Sequence, residues 1–197
     1  MKTKMITLEK LLNTQAGGTE PRVEMHEIAK EFRLAHQLPE IDQIAFCVPK
    51  VEDSKSQLSN NDKVSAFLIS EANLPCWVER GKERNFRGRL GIAYYETMQI
   101  EFLEAGIGSD FYSQLMSASN DTRLHHLGFF VKELEPISLS LTSAGFPLYV
   151  EGKSNIGAVE VDFHYIDTFQ ELGFYMEFIC CSKDGISFIP DASLFKA

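Results

Sequence analysis

Two stretches of this sequence recur, in the same order, in its second half. Asp42-Gln43-Ile44-Ala45-Phe46-Cys47-Val48 aligns position by position with His125-His126-Leu127-Gly128-Phe129-Phe130-Val131. Met98-Gln99-Ile100-Glu101-Phe102-Leu103 aligns in the same way with Phe174-Tyr175-Met176-Glu177-Phe178-Ile179. The offset is 83 residues at Gln43 and His126 and 76 at Glu101 and Glu177, so the halves differ by seven residues of loop. A duplicated chain folds as two similar units, which removes most architectures at once.

Hydrophobic patterning fills in the units. Gln43 to Val48 is a β-branched and aromatic run, as are Leu90 to Tyr95, Met98 to Glu104 and Leu124 to Val131. Val64 to Ile69 is apolar, and Cys76 to Glu79 is a further candidate strand. Glu52 to Asn61 is polar with weak helical character, and Asp110 to Met116 suits a short helix. Lys132 to Ala144 places Leu134, Ile137, Leu141 and Ala144 on one helical stripe and is closed by Gly145. Phe146 to Val150, Val159 to Ile166 and Gly173 to Cys180 complete the second half. Each half therefore reads strand, helix, then three strands, an α+β chain. Residues 1–40 form a helical N-terminal extension, with a start at Thr19 and Pro21 and a stop at Pro39. Residues 41–121 and 122–197 are the two repeated units.

The repeat singles out four positions: Gln43, Glu101, His126 and Glu177. Each is a polar side chain inside an apolar strand, where a charge is costly unless it is paired or bound. A lone Glu or His in a strand is ordinarily hydrogen-bonded or faces solvent. Shared register across a repeat sets these four apart. Converging carboxylates repel unless a cation sits between them. Two carboxylates, an imidazole and an amide oxygen suit a divalent ion such as Zn, Ni, Mn, Fe or Co. Strand alternation puts Ala45 and Cys47 on the Gln43 face, and Gly128 and Phe130 on the His126 face. The same alternation splits the histidine pair: His125 aligns with Asp42 and is expected to point away, bonding at the strand edge. His164 and Asp162 share a face of their strand. If that face is the cleft, His164 is a candidate acid or base.

Charge and cysteine usage exclude several functions. The formal net charge is -9 with no basic run, which disfavours nucleic acid and a polybasic membrane contact. Arg80 to Arg89 is the one cationic stretch and reads as a solvated loop, the sharper alternative being a lid that grips a substrate anion. Cys47, Cys76, Cys180 and Cys181 lack Cys-x-x-Cys spacing and read as free thiols. No apolar run is long enough to span a membrane, and the start is not a signal peptide. The expected location is cytoplasmic.

The ordered set of HHLGFFV, MQIEFLEA and GFYMEFI resembles the vicinal oxygen chelate superfamily, over about residues 40 to 181. That superfamily includes glyoxalase I, methylmalonyl-CoA epimerase, extradiol dioxygenases and bleomycin-resistance proteins. The resemblance implies two βαβββ modules whose curved mixed sheets form a cleft. It implies that Gln43, Glu101, His126 and Glu177 hold a divalent metal, and that Glu177 or Glu101 moves the proton. The order Gln, Glu, His, Glu is similar to glyoxalase I of the animal type, whereas extradiol dioxygenases carry histidine at the Gln43 position. The implied function is a metal-dependent isomerase or lyase of the glyoxalase and epimerase type. It would chelate vicinal oxygens of a small oxygenated substrate and stabilise an enediolate or enolate. The alternative is a metal-free small-ligand binding protein of the bleomycin-resistance type. Cys47, Phe130 and His164 are the further cleft-lining candidates. The modules pair within one chain or across two copies, which leaves a homodimer open.

Overall fold

A computed structural model describes residues 27, 29–59, 64–65, 67–74, 76–95, 98–116, 122–156 and 159–181. The expected helix start at Thr19 and Pro21, His26 and the Glu96-Thr97 connection lie outside the described residues. In chain order the elements are α1 (Lys30–Ala35), β1 (Gln43–Cys47), α2 (Val51–Leu58), β2 (Leu68–Asn73), β3 (Cys76–Glu79), β4 (Lys82–Glu83), β5 (Arg87–Tyr95) and β6 (Met98–Leu103). A single 3-10 turn at Ser113–Leu115 stands where a short helix was expected. The second half runs β7 (Arg123–Phe130), α3 (Glu135–Ser143), β8 (Leu148–Ile156), β9 (Val159–Ile166), α4 (Phe169–Leu172) and β10 (Tyr175–Cys181). Gly145, with φ 97°, ends the turn after α3 in the left-handed region that favours glycine.

All ten strands form one mixed sheet that curls into a half-barrel, in the order β2-β5-β6-β1-β7-β10-β9-β8-β3-β4. The two halves meet in its middle, within one chain, where β1 pairs antiparallel with β7. Each of these strands also pairs in parallel with the last strand of its own half, β1 with β6 and β7 with β10. The registers obey the repeat: Ala45 lies beside Glu101, and Gly128 lies beside Glu177. The duplication thus brings the four selected positions to the centre of the sheet.

Alternation sorts the side chains into two cores. Ile44, Phe46, Ile100, Phe102, Met176 and Phe178 face the helices and pack with Val51 and Leu58 of α2 and Leu141 of α3. Ala45, Cys47, Leu103, Tyr175 and Ile179 face the other way, with Trp77, Phe111 and Tyr165.

The expected β3 position differs in the structure. β2 completes the first half's sheet by pairing with β5, while β3 crosses over and pairs with β8 of the second half. A two-residue turn at Arg80 and Gly81, with φ 49° and 74°, joins β3 to β4. Two positive φ values in a two-residue connection match the twist of a hairpin. The first half therefore carries a hairpin where extra loop was expected. The cationic stretch is largely exposed, as expected, but it contains β4 and the start of β5 and is not a loop throughout.

One further departure lies in β7. Ala45 faces His126 but Phe46 faces Leu124, so His125 has no residue opposite. Leu124 and Leu127, three positions apart, both pack in the helix-face core. This is a β-bulge, and it places His125 and His126 on the same face. The expected split of the histidine pair is therefore wrong.

Phe178 is fully buried and stacks on Phe129 with centroids 5.2 Å apart, across the parallel β7–β10 pair. Phe178→Ala should cost about 3–5 kcal/mol of stability in urea unfolding.

Candidate metal centre

Glu101 on β6, His126 on β7 and Glu177 on β10 converge, with one candidate ligand atom from each lying within 4.8 Å of the others. His126 is fully buried, and its Nε2 is 2.9 Å from Glu177 Oε2 and 3.5 Å from Glu101 Oε2. The fourth selected residue joins them: Gln43 Oε1 is 3.0 Å from His126 Nε2. Adjacent pairing of β6, β1, β7 and β10 is what makes this possible, because each donor comes from a different one of four neighbouring strands.

The amide of Gln43 is turned oxygen-inward by partners that the sequence reading did not select. Gln43 Nε2 donates to Gln99 Oε1 at 2.5 Å, and Gln99 Nε2 donates to Tyr94 Oη at 2.5 Å. Gln99 was visible in principle, since it stands two residues before Glu101 on the same face of MQIEFL. Gly128, directly opposite Gln43, keeps the space open, because a Cβ there would overlap the Gln43 side chain.

The electrostatics fit a cation. Burial alone would lower the His126 pKa, but Glu177 and Glu101 overcome this and push it up to about 9. Burial raises the Glu101 carboxyl, and Glu177 adds to the rise against the hydrogen bond from His126. Both shifts share a cause, buried carboxylate charge that favours a positive neighbour. A divalent ion facing a neutral His126 and two carboxylates would supply that positive charge. The donor set of oxygens with one imidazole suits the same borderline and hard ions.

The residues at Gln43, Glu101 and Glu177 border a cavity of about 470 Å³. Its walls include Phe86, Tyr112, Phe130, Phe163 and Tyr165. The Tyr112 and Tyr165 hydroxyls lie 3.2 Å apart, and burial and Glu177 hold both well above the ordinary phenol range. Arg89 is the one cationic side chain bordering the cavity among the described residues. It is held by Glu52 at 2.5 Å, Glu71 at 3.2 Å and Glu104 at 3.4 Å.

Two expected cleft residues lie elsewhere. His164 is on the helix face of β9, opposite Phe163 and Tyr165, and its Nδ1 is 2.8 Å from Ser138 Oγ on α3. On β9 it is Val161, Phe163 and Tyr165 that border the cavity, not Asp162 and His164. Cys47 shares the Gln43 face but is covered by Tyr112, whose carbonyl accepts from its Sγ at 3.5 Å. Burial and Glu101 raise its thiol pKa, so it stays protonated. Phe130 does border the cavity.

No family model matches the chain, and no curated protein matches it. Solved structures do. A variant of Streptomyces coelicolor methylmalonyl-CoA epimerase in complex with 2-nitronate-propionyl-CoA superposes with a TM-score of 0.50 at 12% identity, over 71% of this chain and 94% of that one. The Mycobacterium tuberculosis methylmalonyl-CoA epimerase gives 0.49 at 12% identity over 74% and 93%. A hypothetical protein from Bacillus halodurans gives 0.47 at 15% identity over 71% and 92%. What the likeness to the Streptomyces coelicolor epimerase shows is the fold, the curled mixed sheet described above. Within it, β1, α2, β2, β5 and β6 make one βαβββ unit and β7, α3, β8, β9 and β10 the other, with the β3–β4 hairpin between β2 and β5 of the first. No helix among the described residues is long and apolar enough to cross a membrane.

Gln99→Leu removes the acceptor that turns the Gln43 amide. It should weaken Co²⁺ or Zn²⁺ affinity about tenfold in a calorimetric titration, with the far-UV spectrum unchanged.

Proposed function

We propose that this chain is a metal-dependent isomerase or lyase acting on a small oxygenated substrate, with Gln43, Glu101, His126 and Glu177 as the metal ligands. The observation that carries this reading is the convergence of two buried carboxylates, an imidazole and an inward-turned amide oxygen beside one cavity. A divalent cation held by these four residues would supply Lewis acidity to two neighbouring substrate oxygens and so favour an enediolate or enolate. The remaining work falls to the chain. Glu177 or Glu101 takes a proton from the carbon beside the carbonyl and returns it. Tyr112, Phe130, Phe163 and Tyr165 would shield the reacting carbon from water on their side of the cavity.

The cavity favours an uncharged substrate. Glu71 and Glu104 stand on its border, and Arg89 is already held by carboxylates. A phosphate or carboxylate on the substrate would meet acidic groups without a free cation beside them among the described residues.

One observation favours a second reading, a metal-free binding protein for an aromatic ligand. Phe86, Tyr112, Phe130, Phe163 and Tyr165 on the cavity wall offer ring faces on which an aromatic ligand can stack. Metal content separates the two. The chain purified without a histidine tag should take up about one divalent ion from a Zn²⁺, Mn²⁺, Ni²⁺ or Co²⁺ supplement, and Glu177→Ala should take up far less. The loaded chain should then catalyse metal-dependent deuterium exchange into uncharged α-hydroxy ketones, and Glu177→Ala should slow it about 100-fold or more. Failure of every supplement to load the untagged chain would leave the binding-protein reading standing.

A further inference from the structure

His125 and His126 reach the same face only because β7 bulges between Leu124 and Leu127. Regular alternation would have turned residue 125 toward the helices. The bulge instead buries the His125 ring completely, among Phe111 at 4.8 Å, Tyr112 at 4.9 Å and Tyr175 at 5.1 Å between centroids. Its Nδ1 lies 2.9 Å from His126 Nδ1, with the two rings nearly perpendicular at 86°. Its Nε2 ends against the Phe111 backbone without a hydrogen bond of ordinary geometry. Packing alone does not explain an imidazole here. An apolar ring would fill the same cage and leave no buried nitrogen unsatisfied.

Proton arithmetic gives the contact a direction. His126 Nε2 faces Gln43 Oε1, Glu101 Oε2 and Glu177 Oε2. To offer a lone pair toward a cation in that group, His126 must carry its proton on Nδ1. The Nδ1 of His125, 2.9 Å away, must then accept, which puts the His125 proton on Nε2.

We infer that His125 is a positioning residue: by accepting from Nδ1–H of His126, it fixes that ring's tautomer and plane so that Nε2 faces Glu101, Glu177 and Gln43. This rests on the metal-centre reading above. It also accounts for the bulge, which supplies the acceptor from the adjacent residue of the same strand, and for the unsatisfied Nε2, which is the cost of that tautomer.

Long-range ¹H–¹⁵N spectra of the labelled wild-type chain, metal-free and Zn²⁺-loaded, test it first. His126 should be protonated on Nδ1, and His125 should be bare on Nδ1 and protonated on Nε2. A proton on His125 Nδ1 would overturn the inference. Two variants test the consequence. His125→Asn keeps an acceptor near the Nδ1 position and should hold Zn²⁺ affinity within about threefold, while His125→Phe fills the cage without one and should lose about 10- to 100-fold. Equal affinity in the two variants, whether kept or lost, would show a packing role and contradict the inference. Should His125→Phe fail to fold, the wild-type spectra still decide. A wild-type chain that takes up no Zn²⁺ counts against the metal centre and not against His125, whose tautomer is read in the metal-free spectra.

Discussion

Two carboxylates buried on β6 and β10 of one curled sheet, with β1 and β7 between them, are the constraint around which this molecule is arranged. Placing them there is expensive unless something positive lies between them. Glu101 and Glu177 meet across His126, and the pKa directions of Glu101 and His126 both record the strain of that meeting. The surrounding polar groups follow from it. Gln99 and Tyr94 turn one amide oxygen inward, Gly128 leaves room for it, and His125 sits behind the imidazole. Beyond them the cavity wall sets Tyr112, Phe130, Phe163 and Tyr165 beside aliphatic Leu103, Val161 and Ile179, surroundings in which an unpaired charge is costly.

Much of this was legible before any coordinates. Strand alternation has a period of two, so a single polar residue in an apolar run marks a face, and a repeat marks the same face twice. That is why Gln43, Glu101, His126 and Glu177 could be named together, whereas the curved sheets forming a cleft were expected from the family resemblance. The duplicated strands pair at equivalent registers because their sequences are equivalent there, Ala45 beside Glu101 and Gly128 beside Glu177.

What was misread depends on contacts between distant residues or on a break in periodicity. The bulge at His125 interrupts the alternation that was used to orient it. Its trace is the spacing of Leu124 and Leu127, three apart instead of two. In VEVDFHYI the two faces are sharply different, yet nothing local says which one looks into the cavity. The Ser138 hydroxyl on α3, 26 residues away, is what receives His164. Nor does the sequence around the cationic stretch reveal that Arg89 is taken up by Glu52, Glu71 and Glu104, from α2, β2 and the end of β6. The β3–β4 hairpin departs for the other module because an edge strand, β8, offers it a partner.

The central claim is that the repeat exists, at this spot, to hold one divalent cation. Diffraction at the zinc absorption edge, from crystals of the untagged chain grown with Zn²⁺, tests it most directly. The account predicts one anomalous peak about 2.0–2.2 Å from His126 Nε2 and from carboxylate oxygens of Glu101 and Glu177. Density with His126 still bonded to Glu177 and no peak between them, at saturating Zn²⁺, would contradict it.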